Sequence, residues 1–251
     1  MASSSPFSTQ AHRCRISVIV PTLNEQDHLS ATLRGVTLAP GDELIVVDGG
    51  STDQTVAIAR QFTSQVLLGP GGRAVQMNYG AQHAQGDILL FLHADTLLPS
   101  AGLEAVRRAV QAGAVGGAFR LVITPPTLAL QLVAWGTNLR SRYGQLPYGD
   151  QALFMLRQVF EALGGYDEIP FMEDVRMVQA LRTRGHLALI PQAVQTSGRR
   201  WQRDCVLYTT LRNTVLITLY FCGVPPEKLQ RWYRARRRST PPSERVDRGR
   251  V

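Results

Sequence analysis

Four short apolar runs within the first 92 residues constrain this chain more than anything else in it. Ile16-Ser-Val-Ile-Val20 is closed by Pro21, Glu43-Leu-Ile-Val-Val-Asp48 is closed by Gly49-Gly50, and residues 65–68 and Ile88-Leu-Leu-Phe-Leu92 repeat the pattern. Each run is too short for a helix and apolar without alternation, as strands buried on both faces read. Between them lie segments with helical spacing, at about 26–36, 52–62 and 73–84. Strands that alternate with helices join through right-handed βαβ crossovers into a parallel sheet, and such a sheet holds ligands beyond the carboxyl ends of its strands. Function is therefore expected just after Val20, Asp48, Leu68 and Leu92. There the sequence reads Pro21-Thr-Leu-Asn-Glu25, Asp48-Gly-Gly-Ser-Thr-Asp53, Gly69-Pro-Gly-Gly-Arg73 and His93-Ala-Asp95.

The pattern changes after a helix near 100–111. Gly116-Gly-Ala-Phe-Arg-Leu-Val-Ile123 reads as a strand, Pro125-Pro126 opens a helix to about residue 142, and a further strand is expected at 152–156. Gly164-Gly-Tyr-Asp167 then precedes a helix begun by Glu173-Asp174. The second half thus extends the same sheet as α+β structure, with no internal repeat and no linker before about residue 234. A chain of 251 residues is long enough to bury one large α/β core. The expected organisation is a disordered segment 1–15 and one domain over 16–230, divided into a ligand-binding half 16–99, an α+β half 100–200 and a helical segment 203–230. A flexible basic tail is expected over 231–251.

The formal net charge of +8 is not spread evenly. Residues 1–198 hold 14 arginines against 15 acids, whereas 199–251 hold 13 basic residues against 4 acidic ones. The near-neutral body lacks the interleaved basic and aromatic residues of a nucleic-acid groove, so no specific nucleic-acid partner is expected. Trp232-Tyr233 beside Arg231 and Arg234 is the one small exception. Three widely spaced cysteines without a C-x-x-C pair suggest neither a disulfide framework nor a zinc site, and the polar N-terminus lacks the apolar stretch of a secretory signal, so a cytoplasmic location is expected. The longest apolar stretch near the C-terminus, 215–224, falls short of the ~20 residues that span a bilayer. Leu207, Leu211, Val215 and Thr218-Leu219 follow helical spacing. That stripe either packs on the domain or rests peripherally on an anionic membrane surface, helped by Arg231, Arg234 and Arg236-Arg-Arg238.

Asp48 ends a strand, and the two glycines after it let the backbone turn sharply, leaving a carboxylate able to accept from a nucleobase or ribose. Asp48 and Ser51 equally suit the cap of a helix starting near residue 52. Gly69-Pro-Gly-Gly-Arg73 matches neither a P-loop nor G-x-G-x-x-G. It is either a plain turn or one that brings helix N–H groups and Arg73 to a diphosphate. His93 and Asp95 stand two residues apart at the open end of a strand and share a face. That suits a divalent ion, since Mg²⁺ and Mn²⁺ often take one or two protein ligands and complete their shell with phosphate oxygens and water; a helix cap is the alternative. Glu173 and Asp174 open a helix, where neighbours point about 100° apart, so at most one faces a substrate while the other pairs or caps. Asp174 is the favoured base.

Taken together, these residues resemble a family 2 glycosyltransferase of the GT-A type, with a Rossmann-like, mostly parallel central sheet. The resemblance runs from Ile16 to about Trp201, through Ser17-Val-Ile-Val-Pro-Thr-Leu-Asn-Glu25, Ile45-Val-Val-Asp48-Gly-Gly-Ser-Thr-Asp53, Leu89-Leu-Phe-Leu-His-Ala-Asp95 and Gly164-Gly-Tyr-Asp167 followed by Glu173-Asp174. The versions Arg73-Ala-Val-Gln-Met-Asn78, His93-Ala-Asp95, Gly149-Asp-Gln151 and Thr196-Ser-Gly-Arg-Arg200 are similar to a bacterial subfamily of largely uncharacterised transferases. The resemblance implies that Pro21, Thr22, Leu23, Glu25 and Asp48 bound the donor nucleotide pocket, with Arg73 near the base or diphosphate. Ala94 and Asp95 take the end of the family's D-x-D motif, Asp95 binding the metal, Mg²⁺ or Mn²⁺, and the donor diphosphate. His93 departs from the usual Asp at the first position. Asp174 matches the catalytic base, with Glu173 its neighbour. Asp150 and Gln151 fall on the acceptor side, and Arg199 and Arg200 face the leaving diphosphate. Ser197 stands where processive relatives carry the Gln of Gln-x-x-Arg-Trp, so non-processive transfer is implied.

The activity so implied is metal-assisted, inverting transfer of a sugar from a nucleotide-diphosphate sugar to an acceptor hydroxyl on a lipid or small molecule. Two other classes compete with it. A nucleotidyltransferase shares a Rossmann-like nucleotide half, but its Gly-rich loop usually follows the first strand, where this chain has Pro21-Thr-Leu-Asn-Glu25. The other is a non-catalytic protein that binds nucleotide-sugar or nucleic acid.

Overall fold

The computed structural model describes residues 14–199, 201 and 205–235. The expectations for 1–13, for Arg200, for 203–204 at the start of the helical segment and for 236–251 lie outside these residues. Among the described residues, eight strands form one sheet in the order β3-β2-β1-β4-β7-β6-β8-β5. They are β1 Ile16–Thr22, β2 Glu43–Asp48, β3 Val66–Leu68, β4 Ile88–Phe91, β5 Thr96–Leu97, β6 Gly116–Thr124, β7 Phe154–Leu156 and β8 Leu187–Ser197. The first four pair in parallel, as their uniform apolar runs require. β7 runs antiparallel between β4 and β6, and β6 pairs with β8 in parallel. The chain runs outward from β1 through β2 to β3 and then crosses back to place β4 on the other side of β1, so the strand order reverses there. That is where doubly wound sheets open a ligand crevice.

Both faces of the sheet are covered. Val18, Val20, Val46, Leu90 and Leu92 point into one buried layer with Leu29, Leu33 and Val106. Ile19, Ile45, Val47, Leu89 and Phe91 point into the other, with Met77, Phe160, Val178 and Leu181. The first layer is packed by helices α1 Leu29–Arg34 and α4 Gly102–Gln111, the second by α3 Arg73–His83, α6 Arg157–Ala162 and α7 Glu173–Arg182. α2 Thr55–Ala59 lies beside α1. At Gly80 of α3 a Cβ would come within 2.5 Å of the Ile19 side chain, so the missing side chain lets this helix lie close on the sheet.

Three further helices complete the fold: α5 Leu128–Gly144, α8 Val206–Phe221 and α9 Pro226–Ala235. α5 is capped by Thr127, whose hydroxyl accepts from the Leu130 N–H. The structure corrects the expected tail boundary, because 231–235 continue α9 and Leu229 and Tyr233 pack with Met172, Val175 and Leu216. α8 packs on the domain by a side other than the one that carries Leu207, Leu211 and Val215. Thr209 and Leu216 are the buried side of α8, whereas Leu207, Leu211 and Val215 are 78%, 60% and 47% exposed. β8 was not expected from its sequence: Pro191 and Gln192 sit in an irregularity where β6 steps from Ile190 to Ala193. A proline without an N–H is tolerated at such a bulge and reads as a break in one dimension.

Candidate active site

The loops that leave β1 and β2 are laced together. Asn24, in the left-handed region at φ 53°, accepts from the Thr52 N–H at 2.9 Å, while its own N–H donates to Ser51 Oγ at 2.8 Å. The Glu25 N–H donates to Thr55 Oγ1 at 2.8 Å. Asp48 is the pin of this arrangement: its carboxylate accepts from Thr22 Oγ1, Gly50 N–H, Ser51 N–H and Ser51 Oγ at 3.1, 3.0, 2.8 and 2.5 Å. Gln76 of α3 closes the back, donating through Nε2 to the Thr22 and Val47 carbonyls, each at 2.8 Å.

Beyond β4 the chain passes His93 and Asp95, and β8 returns to meet it. Thr96 pairs with Thr196, and the Ser197 N–H donates to the Asp95 carbonyl at 3.2 Å. This register carries Arg199 back over the strand ends. Its Nη2 donates to both Glu25 oxygens at 2.7 and 2.9 Å and lies 3.1 Å from Asp95 Oδ2. The hydrogen bond to Glu25 and the nearby Asp95 hold the Arg199 guanidinium pKa above its ordinary value, against partial burial.

From the other side comes α7. Met172, in the left-handed region at φ 67°, turns the chain into the helix and is anchored in the apolar cluster with Leu216 and Leu229. Asp174 Oδ2 accepts from the Gly149 N–H at 2.8 Å. A Cβ on Gly149 would stand 3.0 Å from His93 Nε2 and 3.2 Å from Asp174 Oδ2, so only glycine leaves both side chains in place. Glu173 turns inward to Arg73, 3.2 Å from its Nη1. Burial raises the Glu173 pKa above the ordinary carboxylate range, although Arg73 pulls it down. For Arg73, burial works against the charge, but Glu173 and Asp174 outweigh it and raise the guanidinium pKa.

Asp95, Asp174, Asp150, His93, Arg73 and Tyr148 line one cavity of ≈ 150 Å³. A larger cleft of ≈ 1000 Å³ adjoins it through Arg73 and is walled by Leu23, Glu25, Arg199, Phe171 and Tyr233. An extended polar ligand can therefore lie along the β1 and β3 loops and end between two carboxylates. The pattern of glycosyl transferase family 2 matches residues 17–163. The chain belongs to that family.

The chain is similar to an undecaprenyl-phosphate 4-deoxy-4-formamido-L-arabinose transferase of Edwardsiella ictaluri, 34% identical over 119 residues that make up 40% of this chain and 34% of the relative. The match thus spans about a third of that relative's length. Among solved structures, it resembles glucosyl-3-phosphoglycerate synthase from Mycobacterium tuberculosis in complex with Mn²⁺ and UDP-glucose, at TM-score 0.58 and 20% identity over 84% of this chain and 80% of that one. It also resembles the mannosyltransferase PcManGT of Pyrobaculum calidifontis in complex with GDP-Man and Mn²⁺, at TM-score 0.55 and 22% identity over 74% of this chain and 57% of that one. At these identities the likeness shows the fold, which is GT-A.

Of the residues singled out by sequence, Asp95, Asp174, Asp150 and Arg73 meet at the small cavity, and Leu23, Glu25, Glu173 and Arg199 wall the larger cleft. Thr22 and Ala94 are buried behind them, and Pro21 lies within β1. Two of the residues singled out turn inward. Asp48 is 2% exposed and its carboxylate binds the loop after β2 through the Gly50 and Ser51 N–H groups; it caps no helix, since α2 starts at Thr55 without a side-chain cap. Gln151 is fully buried: it donates to the Phe119 carbonyl and accepts from Ser141 Oγ and the Tyr148 N–H, so it holds the loop that carries Asp150. Tyr148 and Tyr233 were missed as site residues. Tyr148 lies under the Arg140 guanidinium, 3.5 Å from the ring centroid, and Tyr233 tilts against Phe171 at 5.3 Å; Tyr233 was visible only as part of the aromatic-basic exception Trp232-Tyr233. Among the described residues no three His, Cys, Asp or Glu side chains gather as a metal cage. One carboxylate at the cavity rim, Asp95, does fit Mg²⁺ or Mn²⁺ when phosphate oxygens and water supply the remaining ligands.

Proposed function

We propose that the transferase moves a sugar, with inversion and without processivity, from a nucleotide-diphosphate donor to an acceptor hydroxyl. The observation that carries this reading is that Asp95 and Asp174 line the same small cavity, into which the cleft walled by Glu25 and Arg199 opens at Arg73. In the proposed step Asp174 takes the proton of the acceptor hydroxyl, whose oxygen bonds the anomeric carbon as the bond to the donor diphosphate breaks; the leaving diphosphate keeps the electron pair. The Gly149 N–H fixes Asp174, so the base arrives oriented. Arg73 and Arg199 supply positive charge along the leaving group, with Glu173 holding Arg73 in line. Asp95 would hold Mg²⁺ or Mn²⁺, which when bound would supply Lewis-acid stabilisation of that diphosphate. Residues 16–235 act as one catalytic unit whose second half shapes the acceptor side, and Ser197 replaces the glutamine of processive relatives. The acceptor is lipid-borne or small, and the basic C-terminal segment holds the enzyme peripherally at an anionic membrane surface.

The solved relatives with UDP-glucose and GDP-Man define the first ligands to try. Thermal-shift measurements with UDP-, GDP- and TDP-sugars, with and without Mn²⁺, are expected to show stabilisation by one nucleotide class, since a ligand that binds only the folded state raises its melting temperature. Asp95→Ala is expected to abolish the Mn²⁺-dependent part of that shift. The absence of any shift with every donor, or an unchanged Mn²⁺ effect in Asp95→Ala, would overturn the reading.

A further inference from the structure

Helix α5 has two apolar faces and needs only one for the fold. Leu130 and Ala134 are buried against the sheet layer, as the single stripe of a surface helix normally is. On its other side Leu128, Leu132, Trp135, Leu139 and Tyr143 form a second stripe, 41–81% exposed, with the i, i+4, i+7 spacing of one helix face. α8 packs against α5 and adds Leu207, Leu211 and Val215, which also face outward. Runs of exposed apolar side chains of this kind mark a surface that something covers.

We infer that this α5–α8 surface docks on an anionic lipid bilayer. The inference rests on the membrane reading of the C-terminal segment and identifies the face that touches the lipid. Charge selects the occupant. α5, α8 and α9 together hold the basic residues Arg140, Arg142, Arg212, Lys228, Arg231 and Arg234 and a single acid, Glu227. Arg140 and Arg212 turn inward over Tyr148 and Tyr233, while Arg142, Lys228 and Arg231 are exposed. A second copy of the chain docked symmetrically on this face would set like charges against each other, because a twofold interface pairs each patch with itself. An anionic bilayer meets the same charges with opposite sign. Trp135 and Tyr143, 64% and 74% exposed, are the residue types that settle at headgroup level. Among the described residues no helix is long and apolar enough to cross a membrane, so these helices lie on the surface. Arg212 of α8 also lines the larger cleft, so the docking helix borders the proposed active site.

Co-sedimentation of the full chain with vesicles tests this, comparing phosphatidylglycerol-rich with pure phosphatidylcholine membranes. Three proteins are needed: wild type, a stripe variant Leu132→Ser/Trp135→Ser, and a tail variant Arg236→Ser/Arg237→Ser/Arg238→Ser. Circular dichroism and the donor thermal shift, which involve neither stripe position, show that the variants are folded. Wild type is expected to bind the phosphatidylglycerol-rich vesicles, and the stripe variant to bind at least about tenfold more weakly, as loss of two partly inserted apolar side chains requires. If the tail variant loses binding while the stripe variant matches wild type, the tail reading survives and the apolar face is excluded. If wild type binds no vesicle, both fall. If it instead forms a dimer in sedimentation that the stripe variant dissolves, the face belongs to a second copy.

Discussion

Nη2 of Arg199 lies 3.1 Å from Oδ2 of Asp95 while donating to both oxygens of Glu25. A cation of the protein thus already sits on the carboxylate that the proposed metal needs, and Arg199, 38% exposed, can turn from there toward a diphosphate in the adjoining cleft. Charge-assisted bonds of this type are among the stronger hydrogen bonds. Arg199 is placed by β8, whose pairing of Thr196 with Thr96 brings the two residues together across 104 positions of sequence.

Arg199→Ala is therefore expected to act in opposite directions on two measurements. Mn²⁺ binding without donor tightens by about tenfold, because the competing guanidinium is gone; partial exposure keeps the effect this modest. Transfer slows, because the leaving diphosphate loses a positive partner. Calorimetric titration with Mn²⁺ and a released-nucleotide assay read the two effects. Looser Mn²⁺ binding in the variant would mean that Arg199 supports the site and does not compete for it.

Asp174→Asn keeps an oxygen to accept from Gly149 N–H and removes the capacity to take a proton. Turnover is expected to fall by about 10² to 10⁴, the usual worth of a positioned general base, with the donor-induced thermal shift unchanged. A parallel loss of donor binding would point to a binding role for this carboxylate.

Where sequence and structure part company, the cause is long-range. β1, β2 and β4 were legible because each is a continuous apolar run, and Asp95 and Asp174 because a strand end and a helix start are local facts. Gln151 was not, since its burial depends on Ser141 and on Phe119, 10 and 32 positions away. Asp48 suited a ligand contact or a helix cap; its bond from Thr22 on the neighbouring strand, 26 positions away, is not a local fact. Periodicity found the Leu207 stripe but carries no sign saying which way a stripe faces, and the described structure turns it outward.

Glu173 gives a pH signature. Burial raises its folded pKa above the unfolded value of 4.5, with Arg73 opposing. A carboxylate of raised pKa favours the folded state in its protonated form, so its contribution is complete below 4.5 and is lost as pH rises through the higher folded value. The melting temperature of wild type relative to Glu173→Gln is expected to decline with pH across that window and then level off. A difference that grows with pH would show that Arg73 outweighs burial.

Stability of the whole domain hangs on a second pair, far from the site. Arg107 on α4 is 2% exposed and donates through Nη2 to both carboxylate oxygens of Asp42, whose side chain is enclosed and also accepts from the Ile16 and Ala39 N–H groups at 3.0 and 2.9 Å. Arg107 Nε donates to the Cys14 carbonyl at 2.9 Å, so the guanidinium ties the start of β1 to the turn before β2. Arg107→Leu strands the Asp42 carboxylate in a dry environment, and loss of one partner of a buried pair costs about 3–5 kcal/mol. Urea unfolding is expected to show that loss. The double variant Arg107→Leu/Asp42→Asn should recover part of it, because the uncompensated charge is removed as well. An Arg107→Leu midpoint within error of wild type would mean that the pair contributes no net stability.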